Sequence, residues 1–299
     1  MAPKFELQSH STYSDGELAP AGVVAAAAAA GVELLALSDH DSVEGVPEAS
    51  EAARATGLAL VSAVEISSID AIAADIHILG YLIDPSHPEL RRALERSRAD
   101  RELRSLRMGD ALRELGFELD DELLAARAAA GKTIGRPHLA QAVVTQPANA
   151  ARLRDAGLTE ASAFLEAYLI EGRPAFRERE APSVSDAIDL IHEAGGVAIW
   201  AHPFWDVADP AEVLTALDRF TDTGLDGVEA FYVTHTRDQT ELLADRSAEL
   251  GILSTGSSDF HGPGHRRFNR FRAFDTYGRS PNLGPIAADP SKASEEARS

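Results

Sequence analysis

A chain of 299 residues, 44% of them hydrophobic, can bury a large core and can make one barrel-sized domain or two smaller ones. Its 28 basic and 48 acidic residues leave a formal charge of -20, which repels a long nucleic-acid backbone and an anionic membrane alike; small anions, or short oligonucleotide ends held through cations, remain as partners. There is no cysteine, so disulfides and thiolate metal sites are excluded and any metal must sit on nitrogen and oxygen ligands.

The opening "MAPKFELQSH" lacks the apolar core of a signal peptide, and the alanine run Val23 to Ala30 is too short to span a bilayer. A soluble, cytoplasmic protein is expected. Lys4 to Gln8 reads as a first strand, and Pro20 to Ala30 as a helix with proline in its first turn and Gly31 closing it. Glu33 to Leu37 makes a second strand, Val46 to Ala55 a helix stopped by Gly57, Leu58 to Val64 a third strand and Ile76 to Leu79 a fourth. This alternation predicts parallel strands joined by helical crossovers.

After Leu79 the rhythm changes. "HPELRRALERSRADRELRSLRMGDALRELG" keeps helical spacing over a length that no tight crossover requires, and charged helices without a good strand continue to Pro182. An added helical unit is expected there. Its loop at Gly131 to Pro137 contains Lys132, which is not a Walker lysine because the G-x-x-x-x-G-K spacing is missing. The alternation then returns with helix Val184 to Ala194, strand Val197 to Trp200, helix Pro210 to Thr221, strand Gly227 to Phe231, helix Arg237 to Leu250 and strand Ile252 to Thr255, making seven strands. The closing "AADPSKASEEARS" is polar and small, the composition of a disordered tail.

Ligand-capable residues recur at the ends of these strands. His10 and Asp15 follow the first; Asp39 and His40 follow the second; Glu65 ends the third; His77 lies in the fourth; His202 ends "VAIWAHP"; Asp259 and His261 close "STGSSDFH". Parallel barrels carry their chemistry on that face. Each residue alone also reads as a capped loop or a satisfied core group, but together they form a nitrogen and oxygen ligand set that suits divalent Zn, Mn or Fe. Two such cations about 3.5–4 Å apart hold a shared hydroxide and grip both the attacking and leaving oxygens of a phosphoryl displacement. They also invert the local field that an anionic substrate meets.

These stretches resemble the PHP (polymerase and histidinol phosphatase) domains of the amidohydrolase superfamily, in particular the stand-alone metal-dependent phosphoesterases. The resemblance lies in "HSTYSDG", "ALSDHDSVEG", "VEIS", "IHILGY", "IHEAGGVAIWAHP", "GLDGVEAFYVTHT" and "TGSSDFHG", in the family's order. It implies an α/β fold, a distorted (β/α)7 barrel with an inserted small helical domain: residues 1–98 and 183–285 make the barrel, 99–182 the insertion and 286–299 the disordered tail. It also implies two or three divalent ions (Mn, Zn or Fe). His10 and Asp259 hold one, Glu65 bridges to a second on His77 and His202, and Asp15, His40 and His261 hold a third, with Asp39 behind them. The family's H-x-H opening reads Gln8-Ser9-His10 here, which leaves Gln8 as a weaker, harder amide-oxygen ligand.

His202, Asp259 and Glu65 are the expected catalytic residues, and His202, His235 or a metal-bound water the acid for the leaving group. Arg136 and His138 in "GRPHLAQAVV", His235 in "YVTHT" and Arg177 in "GRPAFRER" are the expected substrate contacts, Arg136 as a bidentate phosphate clamp. The implied reaction is attack of metal-bridging hydroxide on a phosphomonoester of a small nucleotide-like molecule, such as a nucleoside 3',5'-bisphosphate or monophosphate. A histidinol-phosphate-type phosphatase, a 5'-end exonuclease of short RNA and a non-catalytic metal- or nucleotide-binding barrel are the alternatives. Long nucleic acid and membrane are not expected partners.

Overall fold

The computed structural model describes residues 3–129, 134–178 and 181–287. Lys132 and the polar tail from residue 288 lie outside the described residues. Two compact units are present, one formed by Met1–Leu94 with Pro182–Ser299 and the other by Glu95–Ala181.

In the first unit seven strands follow one another in chain order around a single sheet: β1 (Phe5–Glu6), β2 (Leu34–Leu37), β3 (Ala59–Ser68), β4 (Ile76–Tyr81), β5 (Val197–Trp200), β6 (Gly227–Tyr232) and β7 (Leu253–Ser257). The ring closes where Ser9 bridges Phe260 in parallel and the His10 amide donates to the Phe260 carbonyl at 2.8 Å. This is the distorted seven-stranded barrel. Its interior is filled by Leu7, Ala36, Val61, Ala63, Leu79, Tyr81, Ile199 and Ala201. Ile286, in a short 3-10 turn at Gly284–Ala287, is buried with them, so the chain stays packed beyond the expected start of the tail.

The crossover helices form where the sequence punctuates them. α1 (Pro20–Ala29) starts on proline, whose missing N–H costs nothing in a first turn, and α2 (Val46–Thr56) stops at Gly57 with φ +73°. The helices Val184–Glu193 and Arg237–Leu250 open on capping boxes, Ser183 with Asp186 and Thr236 with Gln239, each satisfying two otherwise orphaned backbone donors. With the helix Pro210–Asp222 between them, their apolar faces pack on the sheet, with Val184, Ile188, Ile191, Leu217, Phe220 and Leu243 buried.

One strand departs from the parallel scheme. β4 is antiparallel to both β3 and β5, because the segment 69–75 is too short for a helical crossover and turns the chain straight back. β3 therefore continues past the expected end at Val64 to Ser68, and Glu65 sits inside a strand, opposite Leu79. His77 is the second residue of its strand; since that strand runs backwards, its first residues reach the same rim as the last residues of the others.

The second unit is helical. It contains the C-terminal part of α3 (Pro88–Glu114) followed by α4 (Asp121–Ala129), α5 (Arg136–Val144), α6 (Ala150–Ala156) and α7 (Ala161–Tyr168). Its own core gathers Met108, Leu112, Phe117, Leu139, Val143, Leu153 and Phe164. Among the described residues no helix is long and apolar enough to cross a membrane.

Candidate metal centre

The rim of the barrel brings together eight expected ligands from six chain segments. His10 Nε2 lies 3.0 Å from Asp259 Oδ1 and 3.2 Å from Glu65 Oε2. His77 Nδ1 is 2.6 Å from Glu65 Oε1, and His202 Nε2 approaches the same oxygen at 3.2 Å. Asp15 stands 3.4 Å from His261 Nε2 and 3.9 Å from His40 Nε2. Three overlapping groups have ligand atoms mutually within 4.8 Å: His10, Asp15, His40 and His261; His40, Glu65 and His77; and His10, Glu65 and Asp259. His202 joins them through Glu65.

Local backbone geometry is bent to make this convergence. His202 and Asp259 sit in left-handed conformations, φ +31° and +54°, as does Asp41 at +49°. Such a state costs an L-residue about 1–2 kcal/mol and persists only where its surroundings impose it. At His202 the restraint is Glu229, which accepts the His202 N–H at 3.0 Å. At Asp259, the Tyr232 hydroxyl donates to Oδ2 at 2.8 Å and leaves Oδ1 toward His10. The "SDG" turn after His10 needs its glycine, since a Cβ at Gly16 would collide with the His10 carbonyl. Asp39 ties that turn down by accepting from the Ser11 N–H and hydroxyl and from the Ser14 hydroxyl, at 2.6–2.7 Å.

The electrostatics match a cation nest. His10 is buried, which disfavours its charge, yet Asp259 and Glu65 hold it well above the usual imidazole range. Burial likewise opposes the charge on His77, but Glu65 and Asp75 lift it to about 10. At His40 burial wins over Glu65 and Asp15 and lowers it to about 4. Burial would raise Asp259, but His261 and His10 hold it at about 2. Buried lone pairs left without a properly formed hydrogen bond decide whether an ion fits. His10 Nε2, His40 Nδ1, His77 Nδ1 and Asp259 Oδ1 are all such atoms, all within the three groups. Orphaned buried polar atoms are rare and costly, and convergent imidazole and carboxylate donors are what divalent ions take, so the residues fit metal.

Other expected site residues are placed differently. Gln8 donates from its amide nitrogen to Glu65 Oε2 at 2.8 Å, and its oxygen accepts from the Ser257 hydroxyl at 3.1 Å. Gln8 thus links the Glu65 carboxylate to the Ser257 hydroxyl. His235 is buried against Phe204 and Tyr232, with Nδ1 directed at the Ala230 carbonyl at 3.1 Å. Burial lowers it to about 4. In the helical unit, Arg136 opens α5 and His138 closes its first turn, accepting from the Gly135 N–H at 3.0 Å. Arg177 donates to the Pro174 and Phe176 carbonyls of its own loop.

Sequence reasoning passed over Glu229, Tyr232 and Glu6. Glu229 and Glu6 are fully buried, and burial raises them to about 7 and about 8. Their signal is a carboxylate inside an otherwise apolar strand, as in "GVEAFY" and "KFEL".

A barrel whose strand ends carry this nitrogen and oxygen nest is the architecture of a metal-dependent phosphoesterase. The PHP domain model matches residues 6–131. The chain is 36% identical to a 5'-3' exoribonuclease of Haemophilus influenzae over 88% of this chain and 92% of that one. It is 32% identical to a 3',5'-nucleoside bisphosphate phosphatase of Chromobacterium violaceum over 87% of each. An amidohydrolase structure from Chromobacterium violaceum superposes with a TM-score of 0.77 at 29% identity, covering 99% of this chain and 97% of that one. A Bifidobacterium adolescentis structure gives 0.73 at 29%, over 93% and 100%. The chain belongs to the PHP domain family.

Proposed function

We propose that the protein hydrolyses the phosphomonoester of a small nucleotide-like substrate, such as a nucleoside 3',5'-bisphosphate or monophosphate. The observation that carries this reading is the convergence of orphaned imidazole and carboxylate atoms at one barrel rim. Two or three ions of Mn, Zn or Fe fit this donor set, with His10, Glu65 and Asp259 holding one, Glu65, His77 and His202 another, and Asp15, His40 and His261 a third. When bound, they supply Lewis acidity, acidifying water and neutralising the non-bridging oxygens of the phosphate.

The chain's own residues do the rest. Glu65 is held from two sides, by Gln8 at Oε2 and by His202 at Oε1, which keeps a bridging carboxylate from rotating. Tyr232 fixes Asp259 by its hydroxyl hydrogen. His235 is a neutral ring whose buried Nε2 accepts a hydrogen from a substrate hydroxyl. Arg136, His138 and Arg177 are the substrate-phosphate contacts of this reading, and residues 99–182 are its inserted helical domain. The lack of cysteines accords with work in the cytoplasm.

A second reading, trimming of short RNA from its 5' end, is favoured by the likeness to the Haemophilus influenzae exoribonuclease. The test is metal analysis of purified protein, followed after Mn loading by turnover of an aryl phosphate, adenosine 3',5'-bisphosphate and a 5'-phosphorylated oligoribonucleotide. Turnover of the bisphosphate as the best substrate supports the proposal. Preference for the oligonucleotide shifts it to the second reading, and no turnover with ions in place leaves a binding barrel.

A further inference from the structure

Beside the nest lies a surface at odds with the rest of this acidic chain. The loop after His261 reads "GPGHRRFNRFR", and within it Arg266, Arg267 and Arg270 are exposed and have no ion-pair partner among the described residues. In a protein of net charge -20, arginines without a carboxylate partner so close in sequence to a metal ligand mark a place kept positive for something else. The loop is also aromatic. His265 stacks on Phe268, with ring centroids 5.1 Å apart and planes 13° apart, and Phe268 meets Trp205 at 5.7 Å. The Arg267 guanidinium lies over the Trp205 ring at 5.5 Å. Trp205 is 49% exposed although it is among the largest apolar side chains in the barrel unit, whereas the chain's other tryptophan, Trp200, is buried.

This surface is tied to the centre through backbone. The Trp205 N–H donates to the carbonyl of His202 at 2.8 Å, and the His261 N–H donates to the carbonyl of Phe268 at 2.9 Å. The two aromatic residues are thus indexed to two of the expected ligands. His261 itself is 5.4 Å from Phe268, so two ring-to-ring steps lead from a ligand to Trp205.

We propose that Trp205, Phe268 and Arg267 form a stacking platform for the nucleobase of the substrate, and that Arg266, Arg267 and Arg270 receive its second, non-reacting phosphate. This rests on the phosphoesterase reading above and names what that substrate must carry: an aromatic base and a further phosphate. Stacking on an exposed tryptophan is sequence-tolerant, because every base offers a π face, and arginine reinforces it through its own planar cation. A second phosphate fits the arginines as planar donor forks. The same chemistry is found in a nucleoside bisphosphate and in the first two nucleotides of an RNA end.

Trp205 reports its own occupancy, since the other tryptophan is shielded. Adenosine 3',5'-bisphosphate added to metal-loaded protein is expected to quench tryptophan fluorescence, and glycerol phosphate is not. Trp205→Ala should weaken bisphosphate binding, read by calorimetry, roughly 10- to 100-fold, and Trp205→Phe should restore most of it. Turnover of glycerol phosphate should be unchanged in both. The triple change of Arg266, Arg267 and Arg270 to Ala should raise the KM for the bisphosphate and flatten its dependence on salt, with kcat held. If that triple change weakens a 5'-phosphorylated dinucleotide more than the bisphosphate, the platform serves RNA ends; the reverse assigns it to bisphosphates. Bisphosphate binding unchanged in Trp205→Ala overturns the platform even if every phosphate ester is hydrolysed. Intact quenching and binding without hydrolysis instead overturns the phosphoesterase reading and leaves the platform standing.

Discussion

The barrel rim and the helical unit are stabilised in opposite ways. At the rim, Glu6, Gln8, His10, Asp39, Glu65, His202 and Glu229 are all buried, polar and linked by hydrogen bonds or close ion pairs. In the helical unit the core is carbon, with Phe117, Phe164 and Tyr168 packed edge and face within 5.0 Å of one another, while Leu103, Leu106 and Leu123 stay exposed. A carbon core gains stability from area removed from water, whereas a nest of buried carboxylates and imidazoles loses hydration that its internal ion pairs, or bound cations, must offset. The difference separates the part of the molecule selected for chemistry from the part selected for packing.

That contrast breaks most visibly if the rim is emptied of a single ligand. His202→Ala and Asp259→Asn are each expected to lower kcat/KM by about 10³-fold or more, roughly 4 kcal/mol of transition-state stabilisation. The far-ultraviolet circular dichroism should stay unchanged, since neither side chain is part of the carbon core. Near-native rates in either variant at saturating metal would show that the residue is not a ligand.

The opposite substitution sharpens the comparison. Phe164→Ala, in the helical core, should cost about 3–5 kcal/mol of stability in that unit by chemical denaturation. The metal content of the protein at low denaturant should not change. Loss of bound metal in this variant would mean that the two units are not independently organised.

Acidity distinguishes the regions a third way. His77 is held at about 10, against an ordinary 6.5, so the metal-free rim carries its imidazolium at neutral pH. The stability this charge gives the metal-free protein is complete below 6.5 and is lost as pH rises through about 10. Ion binding needs the neutral ring, so affinity should run the other way, rising with pH by up to about tenfold per unit for each proton displaced. Calorimetry in buffers of different ionisation heats should detect released protons. Binding that is indifferent to pH between 6 and about 9 would contradict it.

Smaller effects are expected behind the ligands. Tyr232→Phe frees Asp259 and should reduce metal affinity roughly 10- to 100-fold in a chelator competition. Gln8→His should have the least effect. It adds a nitrogen that favours one ion, but it breaks the Glu65–Gln8–Ser257 hydrogen bonds, so the net gain should be within about tenfold. An unchanged stoichiometry and affinity would show that position 8 does not influence ion binding.

Much of this was readable in the chain itself because ligands are rare residue types placed at strand ends. His10, His40, His202, Asp259 and His261 stand out in apolar or small surroundings, and their motifs keep the family's order. What stayed hidden was orientation. "DIHILGY" shows a strand with a histidine, but only the short 69–75 connection, with the resulting antiparallel pairing, explains how a residue at the start of a strand reaches the rim. Gln8 was recognisable as a departure from the family, yet which end of its amide meets Glu65 depends on Ser257, 249 residues away in sequence. Glu229 and Tyr232 were within a recognised motif and still unassigned, because their partners are a backbone N–H and a carboxylate from other strands. The helical unit gave its helices but little of its purpose, since packing by Leu and Phe carries no chemical label.

The most direct test is anomalous scattering from crystals grown with Mn or Zn. The account predicts two or three peaks at the barrel rim, each about 2.0–2.2 Å from nitrogen or oxygen atoms of His10, Asp15, His40, Glu65, His77, His202, Asp259 and His261. A rim with these side chains in place and no peak among them at saturating metal would contradict it.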